Sequence, residues 1–322
     1  MPKSYLSSIL SRLQVVGAFA AIYLIWGSTY LAIRIAIKTL PPFFLGGIRF
    51  TIAGTVLYCW AKFSGVARPN WINWRAAAGV SLLLVVVGNG GVAWAEQLVP
   101  SGITALLMSM IPLWTVLLDW LRPGGTKPGI HVVIGVLLGL SGIGLLIGPS
   151  TAASIGHVNI VEVIALIFSS LGWAIGSLYS QQSRLPASPI LATGMEMLVG
   201  GVLLLLTGVF SGEWIGFNPS RISLSSALAV GYLIVFGSFV AFTSFTWLLK
   251  TVRPTLATSY AFVNPVVAVF LGWALADEPL TTRTLLSTII IVIAVAIIIS
   301  HKTRGNAEKT AEAQPEKRKG LQ

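Results

Sequence analysis

Residues 110–120 read MIPLWTVLLDW, and residues 263–273 read VNPVVAVFLGW. Laid over one another they align Pro112 with Pro265 and Trp120 with Trp273, each pair 153 residues apart. At the same offset Trp94 falls on Trp247. Closer to the N-terminus, Trp26 recurs as Trp173 at an offset of 147, so a six-residue adjustment lies between the two registers. Repetition of this kind is sought before any local reading, because it decides the architecture. The chain reads as two copies of one unit.

Composition says what kind of unit this is. Apolar residues make up 55% of the 322, and adding the 33 glycines raises the share to about 65%, against the ~45–50% usual in globular proteins. Charged residues supply 10%, where about 25% is typical. So few charges cannot cover the surface of a soluble protein this long, and apolar residues this dense would collapse a disordered one. The single cysteine, Cys59, rules out a disulfide framework and any multi-cysteine metal site. A polytopic membrane protein remains.

A membrane span needs about 20 mostly apolar residues. Ten runs qualify: 14–37, 43–61, 76–97, 102–121, 131–148, 158–180, 190–210, 225–249, 255–276 and 283–301. The first follows Lys3 and Arg12 and is too long for a signal-peptide core, so it reads as a retained helix. With residues 1–13 on the cytoplasmic side, the inner loops and both termini hold sixteen Lys/Arg and the outer side five. Such a bias predicts that both termini are cytoplasmic, in the cell (inner or plasma) membrane. Ten spans in two copies give five per copy, at 14–150 and 151–301. Five is odd, so the second copy is inverted relative to the first. The expected fold is all-α: ten transmembrane helices as two inverted five-helix repeats around a central cavity, an organisation that marks alternating-access transporters.

Residues 302–322 contain Lys302, Arg304, Lys309, Lys317, Arg318 and Lys319 and no aromatic residue. A nucleic-acid surface would interleave stacking aromatics with its cations. The stretch reads instead as a disordered basic cytoplasmic tail near anionic lipid, and no nucleic-acid partner is expected.

Tandem five-helix halves are joined by further motifs: Trp26-Gly-Ser, the Arg49-Phe50 pair, and the Asn264-Pro-Val-Val…Gly-Trp…Glu278-Pro-Leu-Thr segment. With these the chain resembles the drug/metabolite transporter superfamily, and within it the ten-helix EamA-type permeases, over about residues 14–300. The resemblance implies a secondary transporter, most often an exporter of amino acids, other small metabolites or drugs. One departure stands out: the family often has an acid after the fourth span as well as the ninth, and here Glu278 is matched by Gly125. The acid is read as a helix-end or loop feature whose loss leaves transport unaffected.

Ionisable groups inside spans cost about 2.5–3.5 kcal/mol on insertion scales, so each is a functional candidate. Arg49 lies in the second run and Glu196 in the seventh, 147 residues apart, the offset that relates Trp26 to Trp173. They read as an ion pair or as two substrate anchors, Arg49 for a carboxylate and Glu196 for an ammonium group; the alternative for Arg49 is a structural role on helix-end carbonyls. Trp26, Trp94, Trp173 and Trp247 sit within spans, where they serve either cation–π contact in a cavity or helix packing. Asn89, Tyr260 and Asn264 bring hydrogen-bonding groups to mid-span and should face protein or a wet cavity. Pro112 and Pro265 each free a carbonyl one turn earlier and permit gating kinks. Arg34, Glu96, Asp119 and Glu162 lie near span ends and read as interfacial anchors. Spans five and ten lack charged or amide side chains over 132–147 and 284–300 and read as a back wall, the first carrying Gly135-x-x-x-Gly139.

No enzyme motif, cofactor site or metal-ligand cluster occurs; without a Walker A sequence, ATP hydrolysis does not drive the protein directly. The expected partners are a small-molecule substrate and the lipid bilayer; oligomeric state is open, with a monomer plausible. The alternative is a facilitator, channel-like or ligand-sensing membrane protein without coupled transport.

Overall fold

A computed structural model describes residues 3–122, 129–147, 160–252, 257–294 and 296–297. The expected tail 302–322 and Gly125 fall outside these residues. In chain order the helices are α1 (Lys3–Ala36), α2 (Pro42–Phe63), α3 (Trp71–Ala95), α4 (Ser101–Leu121), α5 (Ile130–Ile147), α6 (Ile160–Gln182), α7 (Pro189–Phe210), α8 (Leu224–Thr251), α9 (a 3₁₀ turn Thr258–Phe262 leading into Asn264–Ala276) and α10 (Thr282–Ala294). Among the described residues there is no strand. The protein is an all-α polytopic membrane protein. Seven helices, α1–α4 and α6–α8, are long and apolar enough to cross a membrane. The α5 helix has 18 residues, while the described parts of α9 and α10 are shorter apolar helices.

The ends of these helices follow from local chemistry. Asn70 accepts a hydrogen bond from the Asn73 N–H at 2.9 Å while the Asn73 side chain accepts one from the Asn70 N–H at 2.9 Å, a capping box that starts α3. Ser188 caps α7 through the Leu191 N–H. The starts of α2 and α4 are different. Each follows a proline, Pro41 or Pro100, which has no side-chain oxygen to offer. Carboxylates far along the chain fill the gap. Glu213 accepts from Phe43 N and Phe44 N at 3.0 and 2.9 Å, and Glu278 accepts from Ser101 N, Ser101 Oγ and Gly102 N at 2.8, 2.8 and 3.2 Å. The Glu278 side chain is thus a helix-end feature, tying α4 to the segment after α9.

The most extensive helix–helix contact is between α2 and α7. A Cβ on Gly194 would lie 2.7 Å from Tyr58 N, and one on Gly201 would lie 2.5 Å from Thr51 N. Only glycine permits backbones this close, the device by which small residues hold membrane helices together. Gly54 and Gly201 stand 147 residues apart, as do Gly47 and Gly194. At the far side α5 meets α10, where Gly142 faces Ile290 and Ile291 and Gly139 faces Ala294.

Four helices depart from regular α geometry. The α4 helix stops at Met108, turns through Ser109 and Met110, and restarts at Ile111 with Pro112 in its first turn. The α9 helix changes from 3₁₀ to α at Val263, with Pro265 in the first turn of Asn264–Ala276. Proline supplies no N–H and is tolerated at a first turn, so each break sits where its proline would interrupt a continuous helix. In α3 the stretch Leu82–Gly90 is π-helical, and in α8 so is Leu233–Phe242. No proline or polar run announces these two widened segments in the sequence.

Candidate functional site

The irregular segments converge. A cavity lies among α1, α2, α3, α4, α6 and α9, with Trp26, Thr29, Tyr30 and Ile33 on its α1 wall. Met108 and Ile111, which flank the break in α4, line it, and so do Tyr260 and Asn264, which flank the break in α9. Gly88 and Asn89, from the π-helical part of α3, complete the circle with Arg49 of α2 and Trp173 of α6. Broken and widened helices in a membrane are tolerated where they border a cavity, which is the arrangement here.

Aromatic rings form one side. Trp26 meets Trp173 edge to face at 5.6 Å and Tyr260 at 4.9 Å, and Phe245 closes the cluster at 5.0 Å from Trp26. The Trp26 indole N–H donates to the Gly237 carbonyl at 3.2 Å, which fixes the ring against the π-helical part of α8. By contrast, the Trp173 indole nitrogen and the Tyr260 hydroxyl are buried without a hydrogen-bond partner of good geometry. Asn89 donates to the Leu84 carbonyl at 3.0 Å, five residues back, stabilising the wider turn from within. Asn264, with its amide nitrogen turned toward them, donates to the Tyr23 and Tyr260 carbonyls at 3.0 and 3.2 Å.

Arg49 is 4% exposed. Its Nε donates to Ser238 Oγ at 2.9 Å, and the guanidinium carbon lies 4.5 Å from the centroid of the Phe50 ring. Gly237 leaves room for the head group, since a Cβ there would fall 2.8 Å from Nη2. Among the described residues no carboxylate lies within ion-pair distance of Arg49. A buried guanidinium without an acid is unusual, because an uncompensated charge in a low-dielectric interior is costly.

Of the nine candidate cavity residues, the structure brings six together: Arg49, Trp26, Trp173, Asn89, Tyr260 and Asn264. Three lie elsewhere. Trp94, at the end of α3, lines a surface groove with Lys38, Gln97 and Glu213. Trp247 lines a lateral groove with Trp60, Ile190 and Phe239. Glu196 is 1% exposed in α7 but does not reach the cavity, and its backbone carbonyl accepts from Ser81 of α3 at 2.7 Å. Glu196 and Arg49 are therefore no ion pair. Both Glu196 carboxylate oxygens lack a hydrogen-bond partner. The cation whose field reaches it, Lys250, is bound to the Pro186 and Ala187 carbonyls at 2.6 and 3.4 Å.

Two expected interfacial anchors are also buried. Glu96 is 0% and Glu162 6% exposed. The turn after α3 is covered by Arg34, which donates to the Glu96 carbonyl oxygen, and by the Glu278 segment, so Glu96 cannot reach the surface. Asp119 pairs with Arg122 at 2.6 Å near the end of α4. Sequence reading missed Ser238, which lies 189 residues from its partner Arg49 and carries no local signal. Met108 and Ile111 could have been found, since they lie within the turn just before Pro112, where the kink is expected.

The EamA-like transporter family matches the chain in two stretches, residues 14–148 and 160–300. The chain belongs to the EamA-like transporter family. The chain is similar to the "Uncharacterized inner membrane transporter YedA" of Escherichia coli strain K12, 40% identical over 287 residues, covering 89% of this chain and 90% of that protein. The "Uncharacterized transporter YvbV" of Bacillus subtilis strain 168 is 23% identical, covering 91% and 92%. The "WAT1-related protein At3g02690, chloroplastic" of Arabidopsis thaliana is 26% identical, covering 86% of this chain and 67% of that protein. A protein of known crystal structure, 23% identical, superposes with a TM-score of 0.65 over 89% of this chain and 96% of its own, so the two share a fold. As an EamA-like transporter the chain is a membrane transport protein, and the cavity bordered by broken helices is its candidate site.

Proposed function

We propose that the protein is a secondary transporter, an exporter of small metabolites or drugs, that moves its substrate through the α1–α4, α6 and α9 cavity by alternating access. The observation that carries the reading is that the breaks of α4 and α9 both open onto this cavity. Discontinuous helices facing a mid-membrane site recur in carriers built from inverted repeats. Such a repeat, 14–150 and 151–301 here, is supported by the two family stretches and by the glycine pairs 147 residues apart. The sixteen-to-five bias of Lys and Arg supports cytoplasmic termini, and the named relative supports the inner membrane.

The cavity has about 40 Å³ of room for water molecules. About 10–15 Å³ on that measure holds one water, so this state holds a few waters and excludes a metabolite. Carrying a substrate therefore requires the broken helices to shift, as a carrier demands and a fixed pore does not. Protein reconstituted into liposomes is expected to show flux that saturates with substrate and is accelerated by substrate on the opposite side. Flux linear in concentration without such acceleration would favour the channel-like alternative.

A further inference from the structure

Hydrogen-bonding capacity on the cavity wall is unbalanced. Arg49 uses only Nε, on Ser238, leaving its two terminal nitrogens for whatever occupies the cavity. The Trp173 indole N–H and the Tyr260 hydroxyl, which approach one another without a hydrogen bond of good geometry, belong to the same wall. All three are donors, Tyr260 by its hydroxyl hydrogen. Among the described residues no acid lines the wall, and Glu196, which could have matched an ammonium group, is placed away from it. Around the donors stand Trp26, Trp173 and Tyr260, whose rings meet at 4.9–5.6 Å.

From this geometry we infer that the cavity selects an organic monocarboxylate anion with an aromatic or similarly flat apolar body. Once the broken helices shift to admit it, the carboxylate takes the two free nitrogens of the Arg49 fork, the planar match that favours arginine over lysine for such groups. Its remaining lone pairs meet Trp173 Nε1 and Tyr260 Oη. The apolar body lies against the rings. A free ammonium group would enter beside a buried guanidinium with no acid to receive it, so cationic amines are excluded by charge.

The inference rests on the transport reading of this site, and the two are tested separately. Purified protein would be titrated calorimetrically with phenylacetate, with its neutral isostere phenylacetamide, and with benzylamine. Phenylacetate is expected to bind at least about tenfold more tightly than phenylacetamide, with no saturable benzylamine binding. Arg49→Ala should erase this preference, and Arg49→Lys, which keeps the charge but not the planar fork, should reduce it. Because a buried arginine can also support folding, Trp173→Phe serves as a second variant: it keeps the ring, removes one N–H, and should weaken phenylacetate several-fold while leaving phenylacetamide little changed. Equal binding of phenylacetate and phenylacetamide, tighter benzylamine binding, or no saturable phenylacetate binding at millimolar concentration would each overturn the inference. Selective phenylacetate binding without counterflow in liposomes would uphold it and sink the carrier reading; counterflow of amines alone would do the reverse.

Discussion

Arg49 of α2 and Glu196 of α7 hold corresponding places in the two halves of the sequence, yet their surroundings differ in kind. Around them the backbone seam is shared: Gly54 and Gly201, again 147 apart, bring α2 and α7 into backbone contact. The side chains part company there. Arg49 turns into a cavity with Ser238 on one nitrogen and open space for the rest. Glu196 turns into packed helices and finds no donor. The lesson is physical: a helix seam this close admits only glycine and so keeps the 147-residue spacing visible, whereas side chains beyond the seam diverge freely. Function is to be sought where the halves differ.

The seam is the place to break the comparison with the largest effect. Gly201→Val puts a branched side chain where a bare Cβ would already be 2.5 Å from Thr51 N, and a Gly54 variant should behave alike. Overpacking of this severity falls near the upper end of the usual range, about 3 kcal/mol. Thermal melting of detergent-purified protein should drop sharply or folded yield should vanish. Gly17→Ala in α1, where nothing lies within 4 Å, is the control and should melt no lower than the parent. Equal behaviour of Gly17 and Gly201 variants would remove the seam from the account.

Glu278, matched by Gly125 in the other half, is a second divergence and the next largest effect. Its carboxylate serves three donors at the start of α4, where Pro100 provides no cap. Loss of charge-assisted bonds together with a helix cap should cost about 2–3 kcal/mol. Glu278→Ala is expected to lower melting by that equivalent, and Glu278→Gln by less, since an amide oxygen still accepts. A Glu278→Ala protein that melts with the parent would show that α4 caps itself.

These outcomes bear on how much of the molecule could be read from sequence. The helical runs were legible because a bilayer accepts only long apolar segments with internally paired backbone. Pro112 and Pro265 announced the breaks because proline carries its backbone effect with it. Trp26, Trp173, Asn89, Tyr260 and Asn264 were found because polar and aromatic groups at mid-span need a reason. Trp94, Trp247 and Glu196 were misplaced for one cause: depth along a helix is readable, but the direction a side chain faces depends on where the neighbours lie. The π-helical turns of α3 and α8 rotate every residue after them, and nothing in LLLVVVGNG or LIVFGSFVAF betrays them.

Ser238→Ala probes the Arg49 side of the comparison with a smaller effect. Removing the hydroxyl leaves the Arg49 Nε–H unpaired, and a hydrogen bond to a charged group is worth about 1.5–3 kcal/mol, less what a water recovers. The cavity has room for that water. A melting loss equivalent to about 1 kcal/mol is therefore expected, and Ser238→Thr, which keeps the oxygen, should restore most of it. If the alanine and threonine variants melt together, Ser238 does not position Arg49.

The smallest expected effect has the opposite sign. Glu196 is buried to 1% exposure with both carboxylate oxygens unpartnered, and Lys250 is held by two backbone carbonyls instead. Glu196→Gln removes the capacity for charge while keeping size and shape. A group that gains little from its charge but bears its desolvation should be no worse as an amide, so melting should stay level or rise by the equivalent of up to about 1 kcal/mol. Transport of whatever the protein carries should persist, because Glu196 does not border the cavity. Arg49→Gln, its counterpart at the other end of the 147-residue offset, should abolish carboxylate selectivity under the same conditions. A Glu196→Gln protein that melts lower than the parent would reveal a donor that Glu196 meets in another conformation. One that melts normally but loses flux would return Glu196 to the transport path.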